Sequence, residues 1–220
     1  MVKVVGFDVG AEGTMIVDET GSIVRNELGG HSSASMVGFS GMERYVGEGA
    51  VAQLSTNYKN TALVGERLSG NVALAAHRPC SGETFAASAY GGAEGPTAFG
   101  DDALCAALLR RCGQLAEASL GATCREAAAS LRGALAVPVS WSDGQRATIA
   151  RGAAAGLPLS SFAAGDLDLV RGDACLRAVY EAKHACLLDE GTSKIVAFVD
   201  VGKAGCACVV SEFANGAGKG

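Results

Sequence analysis

Apolar residues fall on both faces of the stretch Val2–Val9, which predicts a strand covered on either side and therefore central in its sheet. Thr14–Val17 and Ile23–Glu27 predict two further strands, joined by the hairpin-type turn Asp18-Glu19-Thr20-Gly21. From Gly29 to Gly100 the texture changes: Gly, Ser and Asn punctuate short segments, with one helix predicted from about Gly49 to Leu54. A long helix then runs from Asp101 to about Leu120. Its two leading acids suit the positive end, Gly121 stands where a C-cap glycine belongs, and Leu104, Leu108 and Leu115 form a core-facing stripe. Leu135–Val139 predicts a strand with Pro138 near its end. A helix from Asp143 to Ala155 follows, stopped by Gly156 and Pro158, with Trp141 read as core and Asp143 as the helix cap. Asp173–Leu188 predicts another helix, with Leu176, Val179, Tyr180 and Leu187 on one face. Ile195–Asp200 and Cys206–Phe213 predict a closing pair of strands, and Asn215-Gly216 a turn.

Composition narrows the class. A 220-residue chain with 49% hydrophobic and 19% charged residues has the make-up of a folded globular protein. A net charge of −5 and the lack of a basic cluster exclude nucleic acid as a partner. No apolar run approaches a membrane span or a signal-peptide core, so no membrane partner is expected. The eight Cys contain no C-x-x-C pair, and His31, His77 and His184 show no metal-ligand spacing. Buried free thiols in a reducing, cytoplasmic setting are the expectation, with Cys206 and Cys208 on one strand face. The final hairpin ends in a turn with no third strand, which leaves an unpaired edge; a longer parent protein is therefore expected.

VVGFDVGAEG near the start and VAFVDVGKAG near the end share Asp-Val-Gly-x-x-Gly, each copy closing an apolar run. Glycine lets backbone approach a phosphate without an intervening Cβ, and successive N–H groups can point at its oxygens. The carboxylate suits Mg²⁺, which dehydrates reluctantly and takes few direct protein ligands. Two such hairpins facing one another, with Asp8 and Gly10 in one and Asp200, Gly202 and Lys203 in the other, would grip one polyphosphate from both sides, Asp8 and Asp200 holding Mg²⁺ through water.

Through these turns and the segments between them the chain resembles the seventy-kilodalton heat-shock chaperones and their larger relatives, over the N-terminal half of the actin-like ATPase domain. The likeness is collinear: GFDVG at Gly6–Gly10, GGHSSASMVGF at Gly29–Phe39, ERYVG at Glu43–Gly47, NYKNT at Asn57–Thr61 and ERLSG at Glu66–Gly70. LAEASLG at Leu115–Gly121, VPVSWSDGQR at Val137–Arg146, AAGL at Ala154–Leu157 and FVDVG at Phe198–Gly202 continue it, one residue short between Trp141 and Ala154. The resemblance implies an α/β, actin-like (ribonuclease H-like) fold with a mixed central sheet flanked by helices. It implies a lobe I core from residues 1–35 and 101–190, an inserted α+β subdomain over 36–100, and the start of lobe II over 193–220. It further implies ATP or ADP with Mg²⁺ as cofactors, most adenine and ribose contacts lying in lobe II beyond this chain. Co-chaperones, other heat-shock chaperones and unfolded clients are the implied partners, and Pro138 matches a proline that relays nucleotide state between domains. Proline tolerated at a strand end is the simpler reading of that residue.

The departures from the pattern are chemical. Ala11 and Glu12 replace hydroxyl residues of the first loop, and Glu66 stands where the family has the lysine that neutralises the γ-phosphate. In LDLVRGDA, Gly172 and Asp173 take the places of a catalytic glutamate and its following proline, while Lys203 and Ala204 replace glycines of the second loop. A carboxylate ~5 Å from a phosphate charge costs roughly 3 kcal/mol at an effective dielectric of ~20. Loss of an oriented acid/base group costs ~10²–10⁴ in rate. A divergent chaperone with weak or no hydrolysis is the leading expectation. The alternatives are an active ATPase in which Lys203 and Glu12 have taken over the lost roles, with Lys203 otherwise a solvated side chain on a degenerate loop, and a small-molecule kinase of the same fold.

Overall fold

The computed structural model describes residues 3–69, 84–88, 90–92, 95–124, 131–157, 167–184, 192–203 and 205–214. In chain order these form β1 (Lys3–Val9), β2 (Gly13–Asp18), β3 (Ser33–Ala34), β4 (Met36–Ser40), β5 (Glu43–Val46) and α1 (Glu48–Asn57). β6 (Thr61–Leu63), α2 (Val64–Ser69), β7 (Phe85–Ala87), β8 (Thr97–Phe99) and α3 (Asp101–Cys124) follow. The chain continues with β9 (Leu131–Val137), α4 (Asp143–Gly156), β10 (Leu167–Arg171), α5 (Gly172–His184), β11 (Ser193–Gly202) and β12 (Gly205–Ala214).

A five-stranded mixed sheet runs β10-β9-β1-β2-β3, with β10, β9 and β1 parallel and β2 and β3 antiparallel. β1 is central, as its apolar pattern predicts, but only one face is sealed: Val5, Phe7 and Val9 are buried whereas Val4 is 47% exposed. The strand expected over Ile23–Glu27 is a single bridge, Val17 to Ile23. Asn26 explains its loss. The Asn26 side chain accepts from the Leu28 and Gly30 amides and donates to the Ser32 carbonyl, so local bonds replace a ladder. Ser33–Ala34 takes the edge place on β2 instead.

α3 and α4 pack on the sheet and on each other through a glycine seam. A Cβ on Gly152 would lie 2.4 Å from the Cys105 Cβ, and one on Gly156 would lie 2.3 Å from the Ala106 carbonyl oxygen. Leu104, Leu108 and Leu109 fill the core from α3, with Ile149 and Ala153 from α4. α3 continues through Gly121 to Cys124, so that glycine is helical rather than terminal. Ser142, not Asp143, caps α4: its hydroxyl accepts from the Gln145 amide while the Gln145 side chain accepts from the Ser142 amide. Trp141 is buried, as expected.

The stretch between the edge strand β3 and α3 carries its own sheet, β5-β4-β6, with α1 against it, and the β7–β8 hairpin. Phe39 stacks on Phe99 at 4.3 Å and contacts Tyr90 and Phe85, joining the two pieces. Among the described residues β11 and β12 pair only with one another, along their full length. Their anchor is aromatic: Tyr180 of α5 meets Phe213 at 4.6 Å and Phe198 at 5.9 Å, while Arg177 lies over the Phe213 ring. Cys105 and Cys112 are buried, but Cys206 and Cys208 are exposed, since no layer among the described residues covers that face of β12; the expectation of buried thiols fails for this pair. The predicted turn at Asn215-Gly216 and the predicted continuation of α5 to Leu188 lie outside the described residues.

Candidate functional site

In parallel α/β sheets ligands collect at the carboxyl ends of the strands. The register puts Asp8 opposite Ala136 and Arg171 opposite Val137, so β1, β9 and β10 end together. Asp8 and Gly10, Pro138, and Gly172 therefore share one edge. Pro138 follows the last ladder residue of β9, and its carbonyl accepts from the Trp141 amide at 3.2 Å. Gly172 opens α5. A Cβ there would find the Val137 carbonyl oxygen at 3.6 Å, an ordinary contact, so the fold leaves room for a side chain where the sequence supplies none.

The first glycine turn is tightly built. The Gly10 amide donates to the Gly13 carbonyl at 2.9 Å. The Ser35 hydroxyl donates to the Gly10 carbonyl at 2.9 Å, the Ser35 amide donates to the Glu12 carbonyl, and the Ser35 hydroxyl also meets buried Thr14. The Ser35 carbonyl then accepts from the Val64 amide, the first residue of α2. Gly65 packs directly on this turn: a Cβ would stand 2.3 Å from the Gly10 carbonyl oxygen. α2 is held from behind by the Arg67–Asp101 ion pair at 2.6 Å and by Gln145, whose amide donates to the Leu68 carbonyl. Glu66 is thereby fixed beside the turn.

The second turn comes to meet the first. Gly202 pairs with Gly205 at the tip of the β11–β12 hairpin. From that tip the Lys203 ammonium reaches the Glu66 carboxylate at 2.8 Å, the acid being 14% and the amine 38% exposed. The hydrogen bond to Glu66, then the charges of Glu66 and Glu12, push the Lys203 amine above its ordinary range against a smaller opposing effect of burial. At the strand ends, Asp8 is exposed to solvent yet has protein packed close around it. That partial burial, and after it the negative charge of Asp200, raise the Asp8 carboxyl above the usual carboxylate range. Asp8 thus feels the charge of Asp200 across the gap, while Glu66 and Glu12 are the acids that act on the Lys203 ammonium. Asp173 is occupied elsewhere, held by Arg171 at 3.0 Å.

This edge fits a hard cation better than it fits an anion. A carboxyl already raised by burial and by a neighbouring negative charge is relieved by a divalent ion, and Mg²⁺ needs few protein ligands. Asp8 and Asp200 are the residues that would hold it. No group of three or more His, Cys, Asp or Glu suited to a metal occurs among the described residues, which leaves this pair to act with water.

A family profile described as "Hsp70 protein" matches residues 4–219. The chain belongs to the Hsp70 family. Its α/β core is the actin-like ATPase fold of the Hsp70 nucleotide-binding domain, and the described elements come from the N-terminal part of that domain. The heat shock protein hsp88 of Neurospora crassa is 28% identical over 98% of this chain. The chain spans 31% of that Hsp70-family relative's length. In Hsp70 proteins the region binds ATP or ADP with Mg²⁺, which the doubled glycine turns suggest on their own.

Sequence reasoning named both turns and the charge change at Glu66, but missed the residues that join them. Ser35 is one of three serines in HSSAS and carries no distinguishing signal. Gly65 looked like any glycine beside a motif, and only the closeness of α2 to the first turn shows its use. That Lys203 and Glu66 meet follows from tertiary placement alone.

Proposed function

We propose that this chain is the first part of the nucleotide-binding domain of a divergent Hsp70-type chaperone in which the catalytic groups are lost and a protein ion pair stands in for the contact with phosphate. The Lys203–Glu66 bond carries this reading. In a hydrolytic site a lysine on α2 would face the terminal phosphate; here the cation comes from the opposite turn and is consumed by a carboxylate. A polyphosphate entering between the turns would have to break that bond and then meet Glu12 and Glu66. At ~5 Å and an effective dielectric of ~20 each added like-charge encounter costs roughly 3 kcal/mol before solvent screening. Gly172 provides no acid or base to orient water. Mg²⁺, when bound, would supply charge compensation at Asp8 and Asp200. The chain's own residues would close the two turns on one another without a nucleotide.

The same bond weighs against the reading in which Lys203 restores ATPase activity, since the ammonium is already engaged. Family membership favours a chaperone over a small-molecule kinase. The work of such a protein is binding: to co-chaperones, to other heat-shock chaperones, or to unfolded clients through regions outside this chain. Isothermal calorimetry with Mg-ATP and a phosphate-release assay test the proposal on the full-length protein. Binding weaker than micromolar with no turnover above background is expected; micromolar affinity with turnover overturns it.

A further inference from the structure

Away from both glycine turns, a cleft of about 440 Å³ opens where α3 passes β5. It is lined by Arg44 and Tyr45 of β5, Arg110, Arg111 and Gln114 of α3, and Glu27 from the loop after β2. None of its lining residues belongs to α2, α5 or the β11–β12 hairpin. Its charge runs against the rest of the molecule. The whole chain carries −5, yet here three guanidiniums face one carboxylate, leaving two positive charges in surplus.

The arginines are held differently. Arg111 is fixed by Glu27 at 3.0 Å, with both side chains about one-third exposed. Arg110 donates one N–H to the Ala155 carbonyl at the end of α4, 3.3 Å away, which sets its guanidinium at the cleft wall. The Arg44 side chain has neither a hydrogen bond nor an ion pair among the described residues, and the residue is exposed. Glu43, the nearest acid in sequence, takes the Tyr45 hydroxyl and is not part of the lining. Each guanidinium has five N–H donors in a planar fork, so most of the donors in this cleft have no acceptor among the described residues.

We propose that this cleft is a binding site for a phosphomonoester dianion. The charge of such a group at neutral pH, about −1.5 to −2, matches the surplus. The arginine forks match its oxygens in pairs, as they would not match a single halide. The volume lies in the range of roughly 300–1,000 Å³ typical of small-molecule sites, more than a bare phosphate fills. The Tyr45 ring supplies an apolar wall for the remainder of the ligand, and the Gln114 amide a further donor.

Phenyl phosphate is the probe, titrated into the protein while backbone amide shifts are followed by NMR. Saturable shifts concentrated at 44–46 and 107–114 are expected. Arg44→Ala with Arg110→Ala weakens binding by about tenfold or more. Arg44→Ala alone, at an exposed residue without partners among the described ones, gives a smaller loss in a protein whose fold is untouched. Glu27→Gln, which removes the opposing carboxylate, tightens binding several-fold. Inorganic phosphate in a parallel titration shows whether the ring is read as well: tighter phenyl phosphate binding assigns a role to Tyr45, and equal affinity assigns recognition to the phosphate alone. The proposal is overturned if shifts do not saturate, if they appear at 10–13 and 202–203 instead, or if the double variant binds as the parent does.

Discussion

Cutting the bond between Lys203 and Glu66 should release the hairpin tip from α2, and the size of the effect follows from its geometry. The pair is 2.8 Å apart, with the acid 14% and the amine 38% exposed. Charge-assisted hydrogen bonds contribute ~1.5–3 kcal/mol when well covered, and exposed ion pairs only ~0.2–1 kcal/mol. A covered acid and a partly open amine place this pair between those limits, at about 1.4 kcal/mol, or a tenfold change in local opening. Hydrogen exchange read by mass spectrometry over β11 and β12 measures that opening directly. Lys203→Ala should raise exchange at the tip about tenfold. Glu66→Ala should do less, because Glu12 also acts on the amine. The double variant should resemble Lys203→Ala, since the two losses are one loss. The sign of the pH dependence follows from the raised amine pKa. Its contribution is fully present below the ordinary value of 10.5 and disappears as pH climbs through the higher folded value, so the difference between variant and parent stays flat across neutral pH. Unchanged exchange in Lys203→Ala, or strictly additive single effects, would refute the coupling.

Three further outcomes are expected. Asp8→Asn should stabilise the protein at neutral pH by about 1–3 °C in Tm, after solvent screening is allowed for. The native carboxyl is raised, so stability is lost as pH rises through that window from 3.8; the gain must vanish below 3.8, and a lower Tm at neutral pH would contradict the argument. Arg67→Ala leaves Asp101 without its 2.6 Å partner behind α2, and urea unfolding should show a loss of about 2–4 kcal/mol; a loss under ~1 kcal/mol would mean the pair does not hold the helix. Iodoacetamide on the native protein should label Cys206 and Cys208 and spare Cys105 and Cys112, whose thiols burial pushes up to about 12; peptide mass mapping decides, and labelling of Cys105 or Cys112 in native conditions would refute it.

How much of this was legible beforehand varies with the range of the forces involved. The long helices, the central strand and the two glycine turns were readable because periodicity and turn chemistry are local. The strand expected at Ile23–Glu27 was not a strand because Asn26 closes its own loop, and side-chain bonds of that kind are invisible to hydrophobic pattern. Gly121 has the right residue for a helix stop but lies inside α3, since glycine permits an ending without compelling one. Asp143 lost the capping role to Ser142 because the reciprocal Gln145 bond needs a three-residue spacing that only Ser142 has. At the site, the acid at position 66 and the lysine at position 203 were both visible as departures. Their contact was not, because it depends on where the hairpin is set down by Tyr180, Phe198 and Phe213.

The seam between α3 and α4 divides the molecule into parts that tolerate change unequally. At positions 152 and 156 even a methyl group collides with the neighbouring helix, so these two sites admit no drift without prying the layers apart. The charged positions Asp8, Asp200 and Lys203 lie at the exposed strand ends and hairpin tip, and a swap of sign there does not touch that seam. Architecture and chemistry are therefore written in separate residues, and a lineage can discard one while inheriting the other whole.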